Sequence, residues 1–266
     1  MTNHLGIALI QLNPTVGDLA GNLEKIRHAY RKAAAEGVDL VIASELVVTG
    51  YPPEDLMLKP SFQEAAEKAV HALAAELTGG AGPGLLIGAP WRDGGALYNA
   101  SLLLDDGKVV NARFKHDLPN YGVFDERRIF SSGPLPGPVN FRGVRLGIML
   151  CEDMWTSEVT ECLVESGAEI LVVLNGSPFE VDKPDQRLNF AVARSVESGL
   201  PLIYTNQVGG QDELVFDGGS FVIGHDRALA ARAANWREEG MITRWHQDKG
   251  AWICDAGPMA GETGGI

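Results

Sequence analysis

Apolar runs of strand length recur along this chain with room for one helix between them, and the alternation occurs twice. In the first set, runs at 7–12, 40–43 and 85–88 read as strands. Between them, 19–36 and about 62–77 carry apolar residues at helical spacing, with Leu23, Ile26, Tyr30 and Ala33 on one face. The second set reads strand, helix, strand, helix, strand over 144–150, 158–166, 170–174, 187–198 and 202–206. Elements in that order bury their apolar faces in layers, so the chain is of α/β class.

Each set closes with a hairpin rather than another crossover. Asp105-Asp106-Gly107 separates extended runs at 99–104 and 109–114, and Gly224-His225-Asp226 separates 220–223 from 227–231. Antiparallel pairs therefore join each alternating set, and the repeated order predicts two α-β layers packed sheet to sheet. The chain has 266 residues, 45% of them hydrophobic, enough for one domain with a large core. The Gly-rich residues 257–266 lack periodicity and read as a tail or the start of a linker, which bounds the domain at 1–256.

Charge and cysteine usage narrow the function. A net charge of -13 disfavours attraction to nucleic acid or anionic lipid, which requires clustered Lys and Arg. No apolar stretch reaches the roughly 20 residues that span a bilayer, and Met1-Thr2-Asn3-His4 does not begin a signal peptide, so a cytoplasmic protein is expected. Cys151, Cys162 and Cys254 form no C-x-x-C pair, and no two of the six histidines lie within four residues of each other. Reduced thiols and no metal are therefore expected.

Cys151 has the most telling setting. The apolar run Leu146-Gly147-Ile148-Met149-Leu150 ends at this thiol, and Glu152-Asp153-Met154-Trp155 follows. A thiol at a sheet's mouth suits a nucleophile, although cysteine is also among the most buried residue types. Two charged residues end apolar runs in the same way: Glu45 after Leu40-Val41-Ile42-Ala43-Ser44, and Lys115 after Val109-Val110-Asn111-Ala112-Arg113-Phe114. Clustered, they suit acyl transfer, with a carboxylate taking the thiol proton, an ammonium stabilising the oxyanion and a thiolate attacking the carbonyl. A free thiol has a pKa near ~8.5, and a nearby lysine favours its thiolate. Trp155 either lines a pocket or packs, Cys162 reads as core on a helix, and Cys254 falls in a late strand. Gly209-Gly210 and Gly218-Gly219 match no phosphate-binding pattern and read as tight turns.

The order Glu45, Lys115, Cys151 resembles the Glu-Lys-Cys triad of the nitrilase superfamily of carbon–nitrogen hydrolases. Longer segments narrow the resemblance. Ser44-Glu45-Leu46-Val47-Val48-Thr49-Gly50-Tyr51-Pro52, Lys115-His116-Asp117-Leu118-Pro119-Asn120-Tyr121-Gly122-Val123-Phe124-Asp125-Glu126, Cys151-Glu152-Asp153-Met154-Trp155 and Leu174-Asn175-Gly176-Ser177-Pro178-Phe179 are similar to the glutaminase domains of glutamine-dependent NAD synthetases.

The resemblance implies a four-layer α-β-β-α sandwich that hydrolyses L-glutamine through a cysteine thioester. It makes Glu45 the general base, Lys115 the oxyanion stabiliser and Cys151 the nucleophile. Glu126 becomes a second carboxylate that orients the lysine, its alternative being an exposed pair with Arg127 or Arg128. Tyr121, Ser177 and Lys183 match substrate-binding positions. The domain itself would need no cofactor; ATP and magnesium would serve a synthetase domain whose Ser-Gly-Gly-x-Asp-Ser loop this sequence lacks. A homo-oligomer is implied by the resemblance alone. Two rivals stay open at this point: a free-standing ω-amidase, and an inactive module that docks on a synthetase.

Overall fold

Strand β1 (His4–Gln11) sends Leu5, Ile7 and Leu9 to one face and Ala8 and Ile10 to the other, and both faces are buried. That double burial is why the segment reads as an unbroken apolar run. In the computed structural model, which describes residues 3–77 and 82–260, β1 is followed by α1 (Leu19–Ala35), β2 (Leu40–Ile42), α2 (Pro60–Glu76), β3 (Gly84–Asp93), β4 (Ala96–Asp105) and β5 (Lys108–Phe114). The second half runs β6 (Val139–Phe141), β7 (Val144–Leu150), α3 (Glu158–Glu165), β8 (Ile170–Leu174), α4 (Lys183–Ser198) and β9 (Leu202–Thr205). The remaining strands are β10 (Val208–Gln211), β11 (Leu214–Asp217), β12 (Phe221–Ile223), β13 (Leu229–Arg232), β14 (Glu239–Asp248) and β15 (Ala251–Cys254).

Two main sheets result, with strand orders β15-β14-β1-β2-β3-β4-β5 and β13-β12-β9-β8-β7-β6. Their facing sides share one core, in which Ile7, Leu9, Ile42 and Leu86 of the first sheet join Ile148, Val172 and Ile203 of the second. A separate apolar cluster lies under α1 and α2, including Leu23, Ile26, Val70 and Leu73, and another lies under α3 and α4. The molecule is thus the α-β-β-α sandwich expected from sequence. Helix α1 starts where the Asp18 side chain accepts the Gly21 N–H at 2.9 Å. Helix α4 stops at Gly199, whose φ of +73° suits glycine.

Several boundaries differ from expectation. Helix α4 begins at Lys183, four residues before the expected start, with Pro184 in its first turn, where the missing N–H costs nothing. Strand β14 was not expected. It pairs with β1 over eight residues, burying Met241, Thr243 and Trp245 on one face, while Gly240, Ile242, Arg244 and His246 lie on the other, less buried one. That period of two is present in the sequence, but polar residues such as Thr243, Arg244 and His246 interrupt it and hide it from a search for apolar runs. Neither glycine pair forms the expected tight turn: Gly209-Gly210 lies in β10, and Gly218, at φ +71°, makes an isolated antiparallel bridge to Asn235, with Gly219 following at φ +63°. The expected linker at 257–266 lies mostly outside the described residues.

Topology decides where chemistry gathers. In the first sheet β1, β2 and β3 are parallel, and two antiparallel steps through β4 bring β5 into the same direction. In the second sheet β7, β8 and β9 are parallel. Open α/β sheets place sites beyond the carboxyl ends of such strands. Gly88 of β3 lets the next segment pass that edge, since a Cβ there would lie 2.2 Å from Leu46 N and 2.7 Å from the Glu45 Cα.

Candidate active site

Glu45, Lys115 and Cys151 lie just past the ends of β2, β5 and β7. The sheets meet there through backbone as well as side chains, because Glu45 N donates to Asn175 O at 3.3 Å beyond the end of β8. Lys115 is set opposite Asn99 of β4, its N–H bonded to Asn99 O at 2.9 Å.

Lys115 is fully buried, and its Nζ donates to Glu45 Oε1 and Glu126 Oε1, each at 2.8 Å. Three further donors are turned to the same two carboxylates. Asn99 Nδ2 donates to Glu45 Oε1 at 2.7 Å and to Glu126 Oε2 at 3.4 Å, Gly176 N donates to Glu45 Oε2 at 2.8 Å, and the Tyr51 hydroxyl donates to Glu126 Oε1 at 2.9 Å. Burial opposes the charge on Lys115, but Glu126 and Glu45 outweigh it and hold the ammonium well above its usual pKa. The lysine is therefore a fixed cation. Burial raises the Glu126 carboxyl while Lys115 draws it back down.

Cys151 opens a short 3-10 turn, Cys151–Met154, directly after β7, with φ +42°. A non-glycine residue in that left-handed region is strained, and such strain concentrates at functional turns. Burial and the Glu45 charge push the thiol well above its ordinary value, although Lys115 pulls the other way. Lys115 thus favours the thiolate, the direction expected from sequence, but burial and Glu45 outweigh it. That balance suits a mechanism in which a base takes the thiol proton during attack.

Asp153 ties the turn to the Lys115 strand end. Its Oδ2 accepts Leu150 N–H at 3.0 Å, while Oδ1 accepts His116 N–H at 3.0 Å and Asp117 N–H at 2.8 Å. Burial raises its pKa from 3.8 to about 7, against the pull of those donors and Lys115. Between about pH 4 and 7 the folded chain holds a proton here that the unfolded chain has released, so stability falls as pH rises through this window and levels off above it. Asp153→Asn cannot titrate. Denaturant unfolding at pH 5 and pH 8 should show the wild type losing stability relative to this variant at the higher pH; a pH-independent difference would contradict the assignment.

The remaining expected residues lie in varied settings. Tyr121 is half-exposed, and its hydroxyl donates to the Glu152 carboxylate, with both oxygens at 3.0 Å. Ser177 is buried, its Oγ accepting from Arg187 Nε at 3.0 Å, and Arg187 in turn pairs with Asp217 at 2.6 Å. Lys183 is buried with Nζ 4.4 Å from the centre of the Trp155 ring. The exposed alternative for Glu126 is excluded, since Glu126 is buried on Lys115, Arg127 Nε donates to Leu118 O at 3.2 Å, and Arg128 pairs with Asp55 and Asp125. Cys162 is half-buried rather than core, and Cys254 is buried. Sequence reading missed Asn99, Tyr51 and Asp153 as partners of the charged cluster. Asn99 left a faint trace, as a polar residue heading an apolar run.

A four-layer sandwich with a lysine buried between two carboxylates beside a strand-end cysteine is the arrangement of a carbon–nitrogen hydrolase. The carbon-nitrogen hydrolase family model matches residues 6–247, and the chain belongs to that family. Among curated relatives, it is 46% identical over 238 residues to the glutamine-dependent NAD(+) synthetase of Rhodobacter capsulatus, covering 90% of this chain and 43% of that one. The Thermotoga maritima protein of the same name is 40% identical over 82% of this chain and 38% of its own length. The chain thus spans about two-fifths of these relatives. Among solved structures, the glutamine-dependent NAD+ synthetase of Acinetobacter baumannii superposes with a TM-score of 0.91 at 33% identity, over 98% of this chain and 49% of that one. An amidase from Nesterenkonia sp. gives 0.78 at 25% identity, over 91% and 90%. A mutant of the Nesterenkonia sp. AN1 amidase carries the acetamide moiety of fluoroacetamide on its active site cysteine.

Proposed function

We propose that this chain hydrolyses the side-chain amide of L-glutamine and supplies the ammonia for NAD synthesis from deamido-NAD. The observation that carries the reading is Lys115, bonded to both Glu45 and Glu126 beside Cys151, in a chain 46% identical to a glutamine-dependent NAD(+) synthetase. Glu45 acts as general base, taking the Cys151 proton as sulfur bonds to the amide carbon. Lys115 stabilises the oxyanion. When the tetrahedral adduct collapses, the carbon–nitrogen bond breaks and the proton held by Glu45 goes to the departing nitrogen, so ammonia leaves. The γ-glutamyl thioester remains. Glu45 then takes a proton from water as its oxygen attacks, and that proton returns to sulfur as glutamate departs.

In this reading Glu126, with Tyr51 and Asn99, fixes the Lys115 ammonium. Tyr121, Ser177 and Lys183 hold glutamine, the lysine facing its α-carboxylate. The glutaminase domain extends over 1–256, and 257–266 leads toward a synthetase domain, where ATP and magnesium belong. A cytoplasmic setting and self-association form part of the same proposal; among the described residues no helix is long and apolar enough to cross a membrane. The amidase likeness favours a second reading, a free-standing ω-amidase, because it covers 91% of this chain and 90% of that one. Steady-state ammonia release from glutamine, asparagine and simple ω-amides separates the two. Glutamine should give the highest kcat/KM, and a clear preference for another amide would reject the first reading.

A further inference from the structure

Trp155 ends the same turn that Cys151 begins, its N–H donating to Glu152 O at 2.8 Å. Its ring meets two residues of α4: Phe190, with centroids 4.5 Å apart, and Lys183, whose Nζ lies 4.4 Å from the ring centre. Lys183 is only 7% exposed. No hydrogen bond or ion pair joins its ammonium to a carboxylate among the described residues, so the aromatic face is what holds the charge. A buried cation facing a ring but no anion is incompletely compensated, and it favours an anionic group arriving from outside. Its field reaches Glu152, the residue next to the nucleophile, where burial pushes the carboxyl up and Lys183 is among the groups that oppose the rise.

We propose that Trp155 is a specificity-determining positioning residue, holding the Lys183 ammonium at a fixed place relative to Cys151 so that the two measure the substrate's length. This rests on the reading that Lys183 receives the α-carboxylate of glutamine. One rigid turn carries the nucleophile at its start and the aromatic platform at its end. A carboxylate seated on Lys183 then brings the amide carbon to sulfur for a side chain of one length, and asparagine, one methylene shorter, falls short.

The test compares kcat/KM for glutamine, asparagine and 4-aminobutanamide, which is glutamine without its α-carboxylate, in wild type, Trp155→Leu and Trp155→Phe. In Trp155→Leu the preference for glutamine over 4-aminobutanamide should fall roughly tenfold, the scale of a desolvated ring–cation contact. The change should appear mainly in the KM for glutamine, and glutamine-over-asparagine selectivity should fall with it. Trp155→Phe, which keeps an aromatic face, should retain most of the preference. These ratios are independent of the folded fraction, because the substrates share one enzyme sample. An unchanged ratio in Trp155→Leu, with wild type strongly preferring glutamine, overturns the role of Trp155 alone. A wild type that does not favour glutamine over 4-aminobutanamide overturns the Lys183 reading beneath it.

Discussion

Cys151→Ala should abolish glutamine turnover, with kcat falling by about 10⁶-fold as when a covalent nucleophile is removed, while the fold and glutamine binding survive. Alanine keeps the Cβ, so the backbone at φ +42° is neither relieved nor further strained. What disappears is one buried sulfur, a loss of roughly 1 kcal/mol of packing. Calorimetry should therefore give a melting temperature within a few degrees of wild type and a near-normal Kd for glutamine. Ammonia release at an appreciable fraction of wild type would mean that Cys151 is not the nucleophile. Labelling with a glutamine-like electrophile adds a check, since Cys254 is pushed up to about 12 by burial and Asp255, and half-buried Cys162 is the competing thiol. A label on Cys162 with Cys151 unmodified would reassign the chemistry.

The separation between what sequence revealed and what it hid follows the physics of each residue. The strands of the inter-sheet core were legible because burial on both faces leaves unbroken apolar runs such as Leu146 to Leu150. Glu45, Lys115 and Cys151 were legible because each interrupts such a run. Their convergence was not, since it depends on the hairpins turning β5 parallel to β2 and on the two sheets packing face to face. Asn99 and Asp153 were hidden for another reason. Asn99 acts through carboxylates and Asp153 through backbone N–H groups distant in sequence, and no periodicity encodes those. The strained turn at Cys151 was equally invisible, because a positive φ at a residue other than glycine leaves no compositional mark.

The sequence also understated what Lys115 does, and Lys115→Met should expose the difference. As an oxyanion donor alone, its loss would raise the barrier by ~3–4 kcal/mol, a fall in kcat of about 10²–10³-fold. The structure adds a stability cost, because the ammonium is the buried cation shared by Glu45 and Glu126. Removing one partner from a buried ion pair typically costs ~3–5 kcal/mol, through the charge left uncompensated. Methionine matches the volume, so packing contributes little. Glu126, which burial already pushes up and Lys115 pulls down, can relieve the penalty by taking up a proton once the lysine is gone, so the variant is most stable at low pH, with the loss growing as pH rises. Denaturant unfolding at pH 5 and pH 8 should therefore show a larger deficit at pH 8. Unchanged turnover would remove Lys115 from the mechanism, and unchanged stability at pH 8 would refute the buried-charge argument. Adding Glu126→Gln separates the two roles: it removes one unpaired charge, so it should restore part of the stability at pH 8 and none of the turnover.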